Sequence, residues 1–266
     1  MSQSSPLETL LKRDRVIVVA GLAVVVGLAW VYLLMGAGMG MTALQTTALP
    51  AGMGPGPAMS PWTPAYGLLM LVMWWVMMIA MMVPSAAPMI LLFATVNRRQ
   101  RAAGGSFVPT GIFLSGYLLA WGGFSLVAVA LQWGLERATL LSTMMASTGA
   151  VLGAALLLAA GIYQLTPLKQ ACLRHCRSPL HFVTHGWRRG RWGALRMGLE
   201  HGAFCLGCCW FLMGLLFYGG VMNLYWIAGL AVLVLLEKTV PAGHWLAVAI
   251  GVGLMIWGGT VLVTAL

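Results

Sequence analysis

The stretch His201–Met213 reads HGAFCLGCCWFLM, and it indicates the class of fold that this chain adopts. The stretch is apolar enough to predict an α-helix lying in a bilayer. One stripe of such a helix carries an imidazole and three thiols: His201, Cys205, Cys208 and Cys209. The members recur at helical spacing, so they face the same way. Polar groups are costly inside a membrane, and soft sulfur ligands select Cu(I), Zn or Fe–S. The stretch therefore predicts a soft-metal site inside a membrane helix bundle.

The composition of the whole chain supports this class of protein. Of 266 residues, 61% are hydrophobic and only 8% are charged, which excludes a soluble domain. Seven apolar segments are separated by polar or Gly/Pro-rich stretches: 16–35, 66–95, 107–131, 144–165, 197–218, 222–236 and 242–263. We therefore expect a single all-α domain over residues 1–266, a polytopic transmembrane helix bundle of about seven spans.

The net charge of +10 is explained by membrane topology rather than by nucleic-acid binding. If the N-terminus is cytoplasmic, every Lys and Arg except Arg137 falls on the cytoplasmic side. The basic residues then act as an insertion signal and attract anionic lipid. We expect a multi-pass protein of the bacterial cytoplasmic membrane. The basic, Cys/His-containing segment 166–196 is expected inside, and the Met-, Gly- and Pro-rich loop 36–65 outside and irregular.

A second group of metal-binding residue types lies in segment 166–196. If the segment CLRHC is helical, Cys172 and Cys176 share a face, and His175 is adjacent. The five Cys of the chain are an odd number and lie near membrane ends, which favours metal or thiol chemistry over a disulfide framework. The spacing of these residues matches no zinc-finger pattern.

The second apolar segment carries a methionine stripe: Met73, Met77, Met78, Met81 and Met82. Uncharged thioethers bind Cu(I) weakly, which suits a transient relay, although such a stripe is also typical of ordinary packing. Pro84 and Pro88 follow in the same segment and predict a kink. Near the end of the sixth segment, Lys238 is expected to extend to the membrane interface, with Glu237 as a candidate proton acceptor or hard ligand.

Four separated blocks and one dipeptide resemble the DUF2182 family, which is described as predicted metal-binding integral membrane proteins of bacteria. The blocks are WVMMIAMMVPSAAP at Trp75–Pro88, YQLTPLKQACLRHCRSP at Tyr163–Pro179, GAFCLGCCWFLM at Gly202–Met213, MNLYW at Met222–Trp226, and the pair Glu237-Lys238. The resemblance implies that all five Cys belong to the family's pattern. Loop 36–65 lies outside the blocks.

The leading hypothesis is a membrane protein that binds a soft metal, Cu(I) in the first place and zinc as the alternative, for transport or delivery. Methionines would capture the ion, and thiols nearer the cytoplasm would bind it more tightly, so import fits better than export. Expected partners are the lipid bilayer, the metal ion, a cytoplasmic or periplasmic metal-carrying protein and a second copy of the chain. The alternatives are a membrane thiol–disulfide oxidoreductase and a haem-binding or assembly subunit using His201 or His185. The sequence favours a non-enzymatic role.

Overall fold

The computed structural model describes residues 6–39, 42–48, 62–102, 104, 108–142, 145–147 and 149–265. This part of the chain is almost wholly helical and contains no strand beyond one isolated bridge between Leu141 and Ser147. The helices are α1 Pro6–Leu34, α2 Ala43–Ala48, α3 Pro64–Ala102, α4 Thr110–Arg137, α5 Ala150–Gln164, α6 Pro167–Arg177, α7 Pro179–Gly186, α8 Gly190–Gly214, α9 Leu216–Gly219, α10 Leu224–Thr239 and α11 Gly243–Ala265. The predicted all-α class is confirmed.

Five stretches of the described chain are long and apolar enough to cross a membrane: Arg15–Leu34, Pro64–Arg101, Thr110–Arg137, Gly190–Gly219 and Gly243–Ala265. A sixth is obtained if α5 and α6, which meet at an angle of 63°, count as one bent span. About seven spans were expected. A helix covers each of the seven apolar segments, but α5 and α10, with 15 and 16 residues, are shorter than an ordinary span. The protein is a multi-pass membrane protein.

Glycines set the packing of α8 against α4. A Cβ atom on Gly198 would lie 2.0 Å from the carbonyl oxygen of Phe113, and one on Gly202 would lie 2.6 Å from Ala120 Cβ. The absence of these side chains lets the two backbones touch, which is the main way that membrane helices gain packing energy. Residue numbers rise together across the contact, so α4 and α8 run parallel and Tyr117 is brought beside the cysteine stripe.

A sharp turn at Thr166 and Pro167 directs α6 back onto α8. The Thr166 side chain accepts a hydrogen bond from the Lys169 backbone N–H at 3.3 Å, and Pro167 occupies the first helical turn. Gly207 of α8 permits the close approach, because a Cβ there would lie 2.8 Å from Cys172 Sγ. The Tyr163 hydroxyl donates to the Gly207 carbonyl and ties the end of α5 to the same point.

The predicted methionine stripe faces the interior of the bundle. Helix α3 continues through Pro84 and Pro88 as one helix of 39 residues. Its five stripe methionines are completely buried: Met73, Met77, Met78, Met81 and Met82. They are therefore not lipid-facing residues. Residues exposed on α1 and α11, such as Leu28 and Ile256, form the apolar outer surface instead.

The loop 36–65 is only partly described, and one expectation about it is wrong. Residues 43–48 form the short helix α2 rather than irregular chain. In this helix the Thr47 hydroxyl donates to the Ala43 carbonyl and accepts from the Leu224 backbone N–H, which attaches α2 to the start of α10. Most of the rest of the loop, including Met41, Met53 and Met59, lies outside the described residues.

Candidate metal centre

The cysteine stripe of α8 forms the centre of a buried cluster. Cys205, Cys208 and Cys209 are at most 1% exposed and point away from lipid. The Cys208 and Cys209 thiols both donate to the Cys205 backbone carbonyl, at 3.0 and 2.9 Å. This bond to the carbonyl one turn earlier satisfies a buried thiol, and it keeps all three sulfur atoms on one side of the helix.

Helix α6 brings a fourth thiol into the cluster. Cys176 is half-buried and lies beside Cys205 and Cys208. Cys172, one turn earlier, lies against the Gly207 backbone at the edge of the cluster. All five cysteines are free thiols. The predicted helix and the shared face of Cys172 and Cys176 are thus present, and they place the second cysteine pair next to the first.

A lysine from α10 reaches the same cluster. The Lys238 ammonium donates to Cys205 Sγ at 2.9 Å and to Ser85 Oγ at 3.1 Å, and the residue is only 8% exposed. The expectation that Lys238 extends to the membrane interface is wrong. A buried cation needs a compensating charge, and in a cluster of thiols that charge is a thiolate. Lys238 therefore places a positive charge beside Cys205, and thiolates are the form of cysteine that binds metals.

Tyr117 of α4 completes the surroundings of Cys205. Its hydroxyl lies 3.0 Å from Cys205 Sγ and donates to the Met82 backbone carbonyl at 3.2 Å. The same carbonyl accepts a hydrogen bond from the Ser85 hydroxyl at 2.9 Å. Cys205 is thus contacted by groups from three other helices, which fix the position of its sulfur atom.

The methionine stripe meets the cysteines at its last member. Met82 Sδ lies 4.0 Å from Cys209 Sγ, and both atoms are fully buried. Met77, Met78 and Met81 continue along α3 away from this contact. The structure therefore brings together thioether and thiol sulfur atoms from two helices that are far apart in sequence.

The two candidate histidines differ sharply in their surroundings. His201 is 4% exposed, and its Nδ1 has no hydrogen-bond partner among the described residues. Its ring packs against those of Phe113, Tyr117 and Phe182, with centroid separations of 5.7–6.3 Å. His175 instead is exposed and stacks on Phe204 at 4.1 Å. His201 adjoins the cysteine cluster one turn before Cys205, whereas His175 lies outside it.

The cluster is not a preformed metal cage. In the described part of the chain, no group of three or more His, Cys, Asp or Glu side chains is arranged to hold a metal ion. Two of the thiols are turned back to the helix backbone, and Lys238 lies on the third. The donor set nevertheless fits Cu(I), which prefers thiolate and thioether sulfur and accepts low coordination numbers. A pair of these thiols and Met82 can provide such ligands once the hydrogen bonds are exchanged for metal–sulfur bonds.

A buried ion pair next to the cluster joins α6 to α10. Lys169 Nζ lies 2.7 Å from Glu237 Oε2, and Gln164 Nε2 donates to Glu237 Oε1 at 2.8 Å. Sequence reasoning kept Glu237 as an acceptor or ligand but missed Lys169 as its partner. A lysine in a basic, amphipathic helix is expected to be exposed. Here the bend between α5 and α6 turns Lys169 inward. Tyr117 was also missed, since nothing in its local sequence marks it.

A comparison with models of protein families identifies the family of this chain. The model of the PpoB2 copper chaperone family matches residues 71–261, which is more than half of the chain. The chain belongs to the PpoB2 copper chaperone family. The match covers every helix from α4 to α10 together with most of α3 and α11. It therefore includes the whole cysteine cluster. No curated protein and no solved structure matches the chain.

Membership in the PpoB2 copper chaperone family confirms part of what the sequence predicted. A copper-related role is shown, and copper is the expected metal. The family is a copper-related one, which agrees with the copper predicted from the soft ligands, but the DUF2182 name itself stays a prediction. The oxidation state of the ion, the zinc alternative, the identity of the ligands and the transport role also stay predictions.

Proposed function

We propose that this protein binds Cu(I) within the membrane and delivers it to an acceptor protein in the bacterial cytoplasm. The Met73, Met77, Met78, Met81 and Met82 stripe passes the ion to the cysteine cluster of Cys176, Cys205, Cys208 and Cys209. The observation that carries this proposal is the convergence of buried thiols with a buried lysine at 2.9 Å from Cys205. A lysine buried among thiols is costly in a purely structural core, but it balances the negative charge of a Cu(I)–thiolate complex.

The contact between Met82 and Cys209 supports transfer between the two groups of sulfur ligands. Neutral thioethers hold Cu(I) loosely and thiolates hold it tightly, so an ion on the methionines moves toward the cysteines. With the basic end of the bundle in the cytoplasm, as the distribution of Lys and Arg indicates, this gradient leads inward. Cys172 and Cys176 on α6 belong to segment 166–196, where an acceptor protein can dock.

His201 and Cys172 take supporting positions in this proposal. The unpartnered Nδ1 of His201 is a further soft-metal ligand close to Cys205, available if its ring rotates within the aromatic contacts. Cys172 adjoins the cluster at Gly207 and can accept the ion on its way out. His175 is exposed and stacks on Phe204, so it is not a metal ligand in this proposal.

The test is a Cu(I) titration of detergent-purified protein against a chromophoric Cu(I) chelator, with elemental analysis of the bound metal. The wild type is expected to hold at least one equivalent of copper tightly, and Cys205→Ser combined with Cys208→Ser is expected to lose it. Met255→Leu is the matched control, because Met255 of α11 packs against Gly161 of α5 and lies on neither of the cysteine-bearing helices α6 and α8. Equal copper content in the wild type and the double variant would contradict the proposal.

The same preparation tests the alternatives. Zinc in place of copper would keep the thiol site but reduce the methionine stripe to packing. Thiols that cycle between free and paired forms without binding metal would favour the oxidoreductase. Absorbance by haem would favour the haem-binding subunit.

A further inference from the structure

A second buried group of metal-binding atoms lies far from the cysteines, near the start of α3 and the end of α4. At its centre is Gln132 of α4, which is fully buried. The Gln132 amide oxygen accepts a hydrogen bond from Trp74 Nε1 at 2.8 Å, which fixes the direction of the amide. The Gln132 amide nitrogen therefore points to the other side.

Three acceptor atoms converge on that one nitrogen. Gln132 Nε2 lies 2.8 Å from Glu136 Oε1, 3.1 Å from Met145 Sδ and 3.5 Å from Met70 Sδ. The amide has only two protons for three acceptors, and thioether sulfur is a weak acceptor. Two sulfur atoms and a carboxylate oxygen thus surround a single, partly positive group. Thioether sulfur is a ligand that soft cations prefer, and the carboxylate supplies the negative charge that balances a monovalent cation.

The carboxylate in this group lacks a compensating cation. Glu136 is 9% exposed, and its other oxygen accepts from Trp62 Nε1 at 2.7 Å. The neighbouring Arg137 is placed over the Trp133 ring at 5.1 Å instead. Among the described residues, no lysine, arginine or histidine forms an ion pair with Glu136. A buried carboxylate without a cationic partner is costly in a membrane protein, and a bound cation removes that cost.

The group lies on the path that the methionine stripe defines. Met70 precedes Met73 and Met77 by one and two turns on the same face of α3, and all three are fully buried. From Met70 to Met82 the helix rises by about 18 Å. Buried methionines therefore continue from this group to the cysteine cluster at intervals of no more than four residues along α3.

We infer that Met70, Met145 and Glu136 form an entry site for a soft monovalent metal cation, which the Gln132 amide vacates when the ion binds. The inference rests on the proposed function, since it supplies the first station of the same route. The ion is held by two thioethers and one carboxylate, so the site is weaker than the cysteine cluster and releases its ion toward it. Trp62 and Trp74 hold Glu136 and Gln132 in position through their indole N–H groups.

The experiment uses Ag(I), a soft monovalent cation without redox chemistry, on the full-length protein in detergent. A variant with Cys172, Cys176, Cys205, Cys208 and Cys209 all changed to Ser isolates the methionine sites. This variant is expected to retain about one equivalent of Ag(I), with sulfur and oxygen neighbours by X-ray absorption. Adding Met145→Leu or Glu136→Gln is expected to weaken that binding at least about tenfold, the size of change that loss of a metal-site partner produces.

The controls separate the two proposals. Adding Met255→Leu to the cysteine-free variant is expected to leave Ag(I) binding unchanged, and circular dichroism shows whether each variant is folded. If the wild type binds Ag(I) but the folded cysteine-free variant binds none, the entry site is wrong and the thiol site stands. If the cysteine-free variant binds as much Ag(I) as the wild type and Met145→Leu abolishes it, the entry site stands and the thiol site is wrong. Sulfur-only coordination in the cysteine-free variant would also overturn the inferred ligand set.

Discussion

The Lys238 ammonium nitrogen lies 2.9 Å from Cys205 Sγ, inside a bundle in which both residues are buried. The two residues belong to different helices, α10 and α8. This pair gives the thiol cluster a cation of its own before any metal binds. In the proposed function Cu(I) binds two thiolates; that complex carries one negative charge, and Lys238 lies where it balances that charge.

Replacement of this lysine provides a direct test of charge balance. Lys238→Met keeps the length of the side chain but removes the charge, so the Cu(I)–thiolate complex becomes an unbalanced anion in a low-dielectric site. We expect the Cu(I) affinity to fall by about 10–100-fold, as for other outer-shell partners of metal ligands. Competition with a chromophoric Cu(I) chelator measures it. Arg196→Met is the control, since Arg196 is exposed and pairs with Glu200. An unchanged affinity in Lys238→Met would show that the lysine is structural only.

The contact of α6 with α8 can be tested by overpacking and rescue. Gly207→Ala places a methyl group 2.8 Å from Cys172 Sγ, so the Cys172 side chain must rotate or α6 must move away from α8. We expect a loss of about 1–3 kcal/mol in unfolding free energy and weaker Cu(I) binding. Cys172→Ala in the same chain removes the clashing sulfur and leaves an ordinary contact of 3.6 Å with the remaining Cβ. It should therefore restore both properties, and failure of this rescue would contradict the assigned packing of α6.

The contact between α4 and α8 has no flexible partner that can move aside. Gly198→Ala directs a Cβ to within 2.0 Å of the Phe113 backbone oxygen, so the helices must separate. We expect Gly198→Ala to lower the thermal stability of the detergent-solubilised protein markedly and to displace Tyr117 from Cys205. Gly253→Ala on α11 is the matched control, because no atom lies within 4 Å of its Cβ position. Similar melting temperatures for the two variants would exclude this close packing.

The features that could be predicted from the sequence are those that depend on a single helix. The stripe of His201, Cys205, Cys208 and Cys209 follows from helical periodicity alone, and all four side chains are buried on one face. Cys172 and Cys176 share a face of α6 for the same reason. The methionine stripe was recognised by its spacing, but burial decides whether it faces lipid or the interior. Burial depends on neighbouring helices and cannot be read from α3 itself.

The parts that were missed depend on contacts between distant residues. Lys238 and Cys205 are 33 positions apart, and Gln132 and Met70 are 62 apart. A lysine near the end of an apolar segment is normally taken to reach the interface. Here α10 packs so that Lys238 is directed at α8 and α3 instead. The short length of α5 was also missed, since the apolar segment 144–165 begins before the helix does.

The buried pair of Lys169 and Glu237 predicts an asymmetric response to mutation. Glu237→Gln leaves Lys169 as an uncompensated buried charge, which typically costs about 3–5 kcal/mol. Lys169→Met combined with Glu237→Leu removes both charges and should cost much less. Thermal unfolding in detergent compares the variants, with Glu200→Gln as the control for a partly exposed acid. If the double variant were no more stable than Glu237→Gln, the pair would not be coupled as its 2.7 Å separation indicates.

The parallel packing of α4 and α8 predicts on which side of the membrane each loop lies. These helices run parallel, so Gly190 lies at the same end of the bundle as Thr110. The chain leaves α4 at the opposite end and must return through α5, which at 15 residues covers only about 22 Å. With the N-terminus inside, we expect alkaline phosphatase fused after Ala138 to be active and green fluorescent protein fused after Gly186 to fluoresce. Phosphatase activity after Gly186 would mean that α5 does not cross the membrane. Reversed results at both positions would place the thiol cluster nearest the outer face and turn the proposed delivery outward.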